Sequence, residues 1–257
     1  GIPLWDKLIS NLLIEMISEK LAEKSIVLDE SERESILLTL MTENENSPLL
    51  QARYIRLGLG KNFIKMISKL LYENFKKPND KWPKSLEILS QLCLPRRGNR
   101  GGVKAIITYN FDDVFEKVLT EKGIDCVSIY RESDVSSQDE LGIYHVHGFL
   151  PNETEDNEQL SKSLLVFSEE GYHSLLLNPY SWQNMIQLNF LRESTCVMVG
   201  LSLNDPNLRR LLAISASNRE SPKHFVILPR IIFHHNSSKV ESGPHHSFTI
   251  VNEDLRE

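Results

Sequence analysis

The chain has 257 residues, 40% of them hydrophobic and 25% charged, and a net charge of −6. That balance fits a globular fold and argues against bulk electrostatic binding to DNA or RNA, with only a local basic patch left open. No apolar run approaches the ~20 residues that span a bilayer, so no membrane partner is expected.

The first ninety-odd residues read as helix. Trp5, Leu8, Ile9, Leu12, Leu13, Met16, Ile17 and Leu21 recur at helical spacing, which predicts an amphipathic helix from Trp5 to about Lys24. A second is expected from Ser31 to Met41. Ser47-Pro48 has the form of a cap followed by proline at the first helical position, opening a third to about Leu57. A fourth runs from Asn62 to Phe75, with Phe63, Ile64, Ile67, Leu70 and Leu71 as its stripe and Pro78 beyond it. A fifth begins at Pro83 and stops before Pro95. These apolar stripes are read as core. The basic, glycine-rich stretch from Pro95 to Gly102 precedes a strand, at the sheet edge where α/β proteins do not bind ligands, so it is read as a solvated turn.

Beyond it the pattern alternates. Strands are expected at Val103–Tyr109, Cys126–Tyr130, Ile143–Val146, Ser163–Phe167, Thr195–Val199, His224–Leu228 and Ser247–Val251. Helices are expected at Asp112–Lys122, closed by Gly123, from Ser168, at Ser181–Arg192 and from Asp205-Pro206. Strands joined by helix-sized connections imply a mainly parallel, Rossmann-like sheet with helices on both faces. The N-terminal helices either cover that sheet or form a cap. The whole of 1–257 is read as one domain, a helical region over 1–95 and an α/β core over 96–257. The cysteines Cys93, Cys126 and Cys196 form no Cys-x-x-Cys pair. They are read as buried, reduced thiols of a cytoplasmic protein, and a four-cysteine zinc site is excluded.

Three strand ends carry polar chemistry. They are Thr108-Tyr109-Asn110-Phe111-Asp112, His145-Val146-His147-Gly148, and Gly200-Leu201-Ser202-Leu203-Asn204-Asp205-Pro206. If the strands are parallel, all three ends meet on the edge where α/β proteins bind ligands. Each has a plain alternative. Asn110 and Asp112 could be helix caps, and Asp205 is explained as one. Gly200-Leu201-Ser202 could be a turn. His145 either lines a pocket with His147, two residues on, or is a hydrogen-bonded core residue. The pairs His234-His235 and His245-His246 lie in a polar stretch without partnering carboxylates and are read as surface loop, so no metal is expected.

Together the strand ends, with the Ser168-Glu169-Glu170-Gly171-Tyr172 segment between them, resemble the sirtuin-like NAD-consuming domains of bacterial antiphage defence. The likeness runs over roughly residues 100 to 215. It implies that NAD is the substrate, that Asn110 and His147 are catalytic, and that Thr108, Asp112, Gly200, Ser202 and Asp205 lie around the dinucleotide. In that scheme Asn110 orients the attacking water or the ribose hydroxyls, and His147 serves as general base, its imidazole titrating near ~6.5 when unperturbed. Asp112 contacts the nicotinamide amide or steadies its loop, while Gly200 and Ser202 meet the adenine-side ribose or phosphate.

That family's Gly-Ala-Gly-x-Ser phosphate loop is not in this sequence. The likeness of Gly1-Ile2-Pro3-Leu4-Trp5 to the segment just after it puts it directly before Gly1, so the chain is expected to be part of a longer one. The missing paired cysteines of a zinc module favour NAD hydrolysis over protein deacylation. The resemblance thus implies an NAD⁺ glycohydrolase that depletes the cofactor, controlled by self-assembly, a sensor domain or a partner ATPase. A sirtuin-like deacylase and a non-catalytic nucleotide-binding sensor are the alternatives.

Overall fold

In a computed structural model of the chain, the residues described are 2–26, 29–43, 48–73, 75, 82–94, 102–152, 165–201, 203–217, 223–229 and 248–251. They fall into two units, Gly1–Leu177 and Asn178–Glu257. The basic stretch at 95–101, Ser47, Pro78, Ser202 and the His234-His235 and His245-His246 pairs lie outside the described residues.

The first unit begins with the expected helices: α1 (Trp5–Glu23), α2 (Glu30–Glu43), α3 (Pro48–Leu59), α4 (Phe63–Tyr72) and α5 (Lys84–Leu92). A 3₁₀ turn at Gly60–Asn62 separates α3 from α4, and Gly60 takes a φ of 51°, which breaks the first helix before the second begins. The stripes do become core. Leu8, Ile9, Leu12 and Leu13 of α1 bury against Ala52, Ile55 and Leu59 of α3 and Phe63, Ile67, Leu70 and Leu71 of α4. Each such side chain contributes roughly 1.5–3 kcal/mol on burial.

Phe111, Leu150, Leu165 and Phe167 complete that same cluster. Two of these follow strand ends, so the N-terminal helices pack on the segments that leave the sheet. Phe167 is the hub: its ring lies 4.8 Å from Trp5, 5.2 Å from Phe63 and 6.3 Å from Phe111 between centroids.

The sheet of this unit has β1 (Ala105–Thr108), β2 (Cys126–Ile129) and β3 (Leu141–His145), with α6 (Val114–Glu121) between the first two. The order is β1-β3-β2 and both pairs are parallel. Leu119 and Ile124 pack with Ile143, and Ile106, Phe115, Cys126, Leu141 and Cys93 close around them, so α6 and the end of α5 cover one face. Residues 131–140, between β2 and β3, form turns and bends without a helix.

The three cysteines are free and half-buried, a correction to the expectation of burial: Cys93 sits at the end of α5, Cys126 at a strand start, and Cys196 before the strand at Val197. Burial is the main cause that raises each thiol above its ordinary value, which keeps the protonated form.

A second correction concerns Leu165–Phe167, expected as a strand. These residues are buried but carry no strand pairing; Val166 N–H donates to His147 O at 2.7 Å and the run then enters α7 (Glu169–Leu177). Their continuous burial comes from the helical layer, which gives the same apolar run as a strand buried on both faces. Gly171 of α7 sits directly on this segment, where a Cβ would meet Val166 Cα at 2.8 Å.

The second unit contains α8 (Trp182–Glu193), β4 (Val197–Val199), α9 (Pro206–Ala216), β5 (Phe225–Pro229) and β6 (Phe248–Val251). Strand β5 pairs parallel with β4 and antiparallel with β6. An antiparallel edge strand on a parallel arrangement is common in α/β folds. Helices α8 and α9 are joined by a buried amide chain: Asn207 Nδ2 donates to Asn184 Oδ1 at 2.9 Å, and Asn184 Nδ2 donates to Asn178 O at 2.9 Å.

Candidate active site

Thr108 and His145 are paired in register as the last residues of β1 and β3. The chain therefore leaves two adjacent parallel strands at one level, and Asn110 and His147 each lie two residues past that pair. This carboxyl edge is where α/β sheets bind ligands.

After β1 residues 109–113 belong to neither strand nor helix, and α6 starts at Val114, two residues later than its expected start. Asp113 occupies the cap position but makes no capping bond; Asp112 does that work, its Oδ1 accepting from Val114 N at 3.1 Å. Burial raises the Asp112 carboxyl above its ordinary value. The Val114 N–H opposes the shift, the Glu116 charge adds to it and His145 opposes it.

Asp113 is freed to bridge loops. Its Oδ2 accepts from Asn152 N at 3.1 Å and lies 3.3 Å from Lys117 Nζ. The Tyr72 hydroxyl accepts from Asp113 N at 3.2 Å and donates to Leu150 O at 2.7 Å, while Leu150 N donates to Phe111 O at 2.7 Å. Burial and the neighbouring Asp113 carboxylate push the Tyr72 hydroxyl far above its ordinary value, so it remains a donor. The segments after β1 and β3 are thus laced to each other and to α4.

Asn110 is exposed. Its N–H donates to Thr108 Oγ1 at 3.1 Å, so Thr108 positions Asn110. His147 lies in the turn after β3, closed by Gly148 at a φ of 109°, and is only 5% exposed. Its ring stands edge-to-face with Tyr109 at 4.6 Å and with Tyr172 of α7 at 5.6 Å. Such contacts fix an imidazole plane.

His145 has a different environment. It is the last residue of the strand and buried, with Nε2 2.6 Å from Glu116 Oε1 and Nδ1 3.2 Å from Asn110 O. Strand β3 ends at His145, so the strand period of two does not extend to His147. Of the two readings of His145, the hydrogen-bonded core residue is the one found.

In the second unit, Gly200 follows β4 with a φ of 68° and Leu203 has a φ of 57°, so the chain turns sharply through the left-handed region there. Asp205 caps α9, its Oδ1 accepting from Leu208 N at 2.6 Å, with Pro206 next. Thr108, Asn110, Asp112 and His147 therefore cluster in the first unit, and Gly200 and Asp205 form a strand-to-helix switch in the second. Among the described residues no group of three or more His, Cys, Asp or Glu is placed to hold a metal.

The sequence by itself does not mark Tyr109, Tyr172, Glu116 and Tyr72 as site residues. Tyr172 was visible in the Ser-Glu-Glu-x-Tyr segment. Glu116 had a weaker signal, a carboxylate one turn into a helix that must pack on a sheet. Nothing local marked Tyr72, whose partners are distant in sequence.

Comparison with known proteins fits this architecture. The family described as SIR2-like domain matches residues 104–244, a span from the residue before β1 to beyond β5. Among curated proteins, the uncharacterized protein y4cA of Sinorhizobium fredii (strain NBRC 101917 / NGR234) is 28% identical over 127 residues. That alignment takes in 46% of this chain and 10% of the relative, so the chain spans about a tenth of that protein's length.

Proposed function

This chain belongs to the SIR2-like domain family, whose chemistry is on NAD, and from that premise we propose that it is an NAD⁺ glycohydrolase. The reaction splits the nicotinamide–ribose bond with water and gives nicotinamide and ADP-ribose. The observation that carries the reading is the pairing of Thr108 with His145, which brings an exposed Asn110 and an aromatic-flanked His147 off one sheet edge.

Nicotinamide leaves as a neutral ring, taking the electron pair of the glycosidic bond, and the ribose gains oxocarbenium character. The Asn110 side chain has an acceptor oxygen and two donor hydrogens, so it can orient the water or the ribose hydroxyls. His147 takes the proton released as water oxygen bonds to the ribose carbon, a contribution of roughly 10²–10⁴-fold for a general base. Tyr109 and Tyr172 keep its ring in place and limit solvent around it. Asp112 steadies the loop through its bond to Val114 and borders the nicotinamide amide.

The absence of paired cysteines in the sequence favours this hydrolase over an NAD-dependent deacylase. A cytoplasmic enzyme that drains NAD fits an effector of antiphage defence, and its harm to the host calls for control by self-assembly, a sensor domain or a partner ATPase. The test is release of free nicotinamide from NAD by the full-length protein, with and without an acylated peptide. Asn110→Ala and His147→Ala are each expected to abolish release while the protein stays folded. Near-normal turnover by either variant removes that residue from the mechanism, and turnover only in step with peptide deacylation replaces the hydrolase by a deacylase.

A further inference from the structure

The main chain of Asn110 lies after β1 and before α6, and two side chains grip it. Thr108 Oγ1 accepts from its N–H at 3.1 Å, and His145 Nδ1 stands 3.2 Å from its carbonyl oxygen. A carbonyl oxygen only accepts, so Nδ1 carries the hydrogen in this arrangement. The other ring nitrogen, Nε2, lies 2.6 Å from Glu116 Oε1, and the same oxygen accepts from Ser128 Oγ at 3.0 Å. The His145 side chain is 0% exposed and that of Glu116 13% exposed, while Phe149 packs on the imidazole with centroids 4.2 Å apart. An imidazole bonded at both nitrogens and packed on its face has one orientation, and which nitrogen donates is set by the bond the other makes.

We propose that His145, oriented by Glu116, is a positioning residue that fixes the Asn110 main chain and thereby aims the Asn110 amide at the substrate ribose. The functional half of this rests on the reading of Asn110 as a catalytic group; the clamp itself does not. Ser128 holds the Glu116 carboxylate, Glu116 holds the ring, the ring holds the carbonyl, and Thr108 holds the amide N–H on the other side. The side chain of Asn110 is left exposed, with its backbone secured at both polar groups.

Asparagine and glutamine separate the two ring nitrogens. His145→Asn keeps a donor near the position of Nδ1 and so keeps the grip on Asn110 O. His145→Gln keeps a donor near Nε2 and keeps only the contact with Glu116. In the full-length protein, His145→Gln is expected to lower kcat for nicotinamide release about 10²-fold, with little change in KM, as small misplacements of a reacting group do. His145→Asn is expected to lose at least about tenfold less. A side chain that only fills space would be missed alike in both variants, so equal losses overturn the proposal.

Amide hydrogen exchange over residues 109–113 supplies a readout that needs no turnover. Exchange should rise in His145→Gln and stay near wild type in His145→Asn; equal exchange in the two overturns the clamp. If exchange separates them but the wild-type protein releases no nicotinamide, the clamp stands and the glycohydrolase reading falls. Should a His145 variant fail to fold, Glu116→Gln and Glu116→Ala carry the same comparison. The glutamine retains a hydrogen-bonding partner for Nε2, so exchange over 109–113 should rise in the alanine variant alone, and a rise in both overturns the proposal.

Discussion

Asp112 is the carboxyl at this sheet edge whose titration is displaced, and the direction has a consequence for stability. Burial disfavours its ionised form, so its value in the folded chain lies above the ordinary 3.8. The stabilisation it supplies is therefore full below about 3.8 and is lost as pH rises through the raised value, because ionisation is cheaper in the unfolded chain. Asp112→Asn keeps an acceptor for the Val114 N–H and cannot ionise. Its melting temperature relative to wild type should climb as pH moves from strongly acid toward neutral. A difference that stays constant over that range would show that burial of the charge is not what shifts this group. The neighbouring Asp113 illustrates how little residue type alone decides: two adjacent aspartates divide the work, one capping α6 and the other bridging loops through Asn152, Lys117 and Tyr72.

At the scale of elements, the position of α7 matters because it brings Tyr172 to His147. The helix approaches the backbone of Leu165 and Val166 as closely as it does only because residue 171 is glycine. An alanine Cβ there would fall 2.8 Å from Val166 Cα and 3.0 Å from Leu165 O, and backbone atoms cannot swing aside as a flexible side chain can. Gly171→Ala should cost about 1–3 kcal/mol by overpacking, read as a lowered denaturation midpoint. It should also displace the Tyr172 ring from His147, visible as a changed environment of the imidazole resonances. Unaltered stability would mean that the 165–166 segment yields easily. The start of α6 carries a related lesson. The sequence predicts it at Asp112, and the helix starts two residues later, where Asp112 accepts from Val114 N and the Asn110 main chain is held by Thr108 and His145.

At the scale of the molecule, the helical layer and the strand ends of the first unit share one core, centred on Phe167. Its ring touches Trp5 of α1, Phe63 at the start of α4 and Phe111 beside the Asn110 turn. Phe167→Ala should destabilise the first unit by about 3–5 kcal/mol, measured by chemical denaturation, because the aromatic neighbours cannot all collapse into the cavity. A loss below ~1 kcal/mol would show the helices to be an independent cap. The kinds of element, their order and the polar character of the strand ends were already legible in the sequence, because helical and strand periodicities are local properties of a segment. So were the caps at Asp205-Pro206 and Gly123, where one residue's chemistry serves its immediate neighbours. The buried run at Leu165–Phe167 reads as a strand from the sequence and is not one, since burial by helices and burial within a sheet leave the same apolar signature. Only the tertiary structure decided which histidine faces Glu116 and which faces two tyrosines, and that Tyr72 would tie the loops together. Those contacts join residues dozens of positions apart, and they depend on where each strand stops, which hydrogen-bond partners across the fold determine and a local pattern cannot.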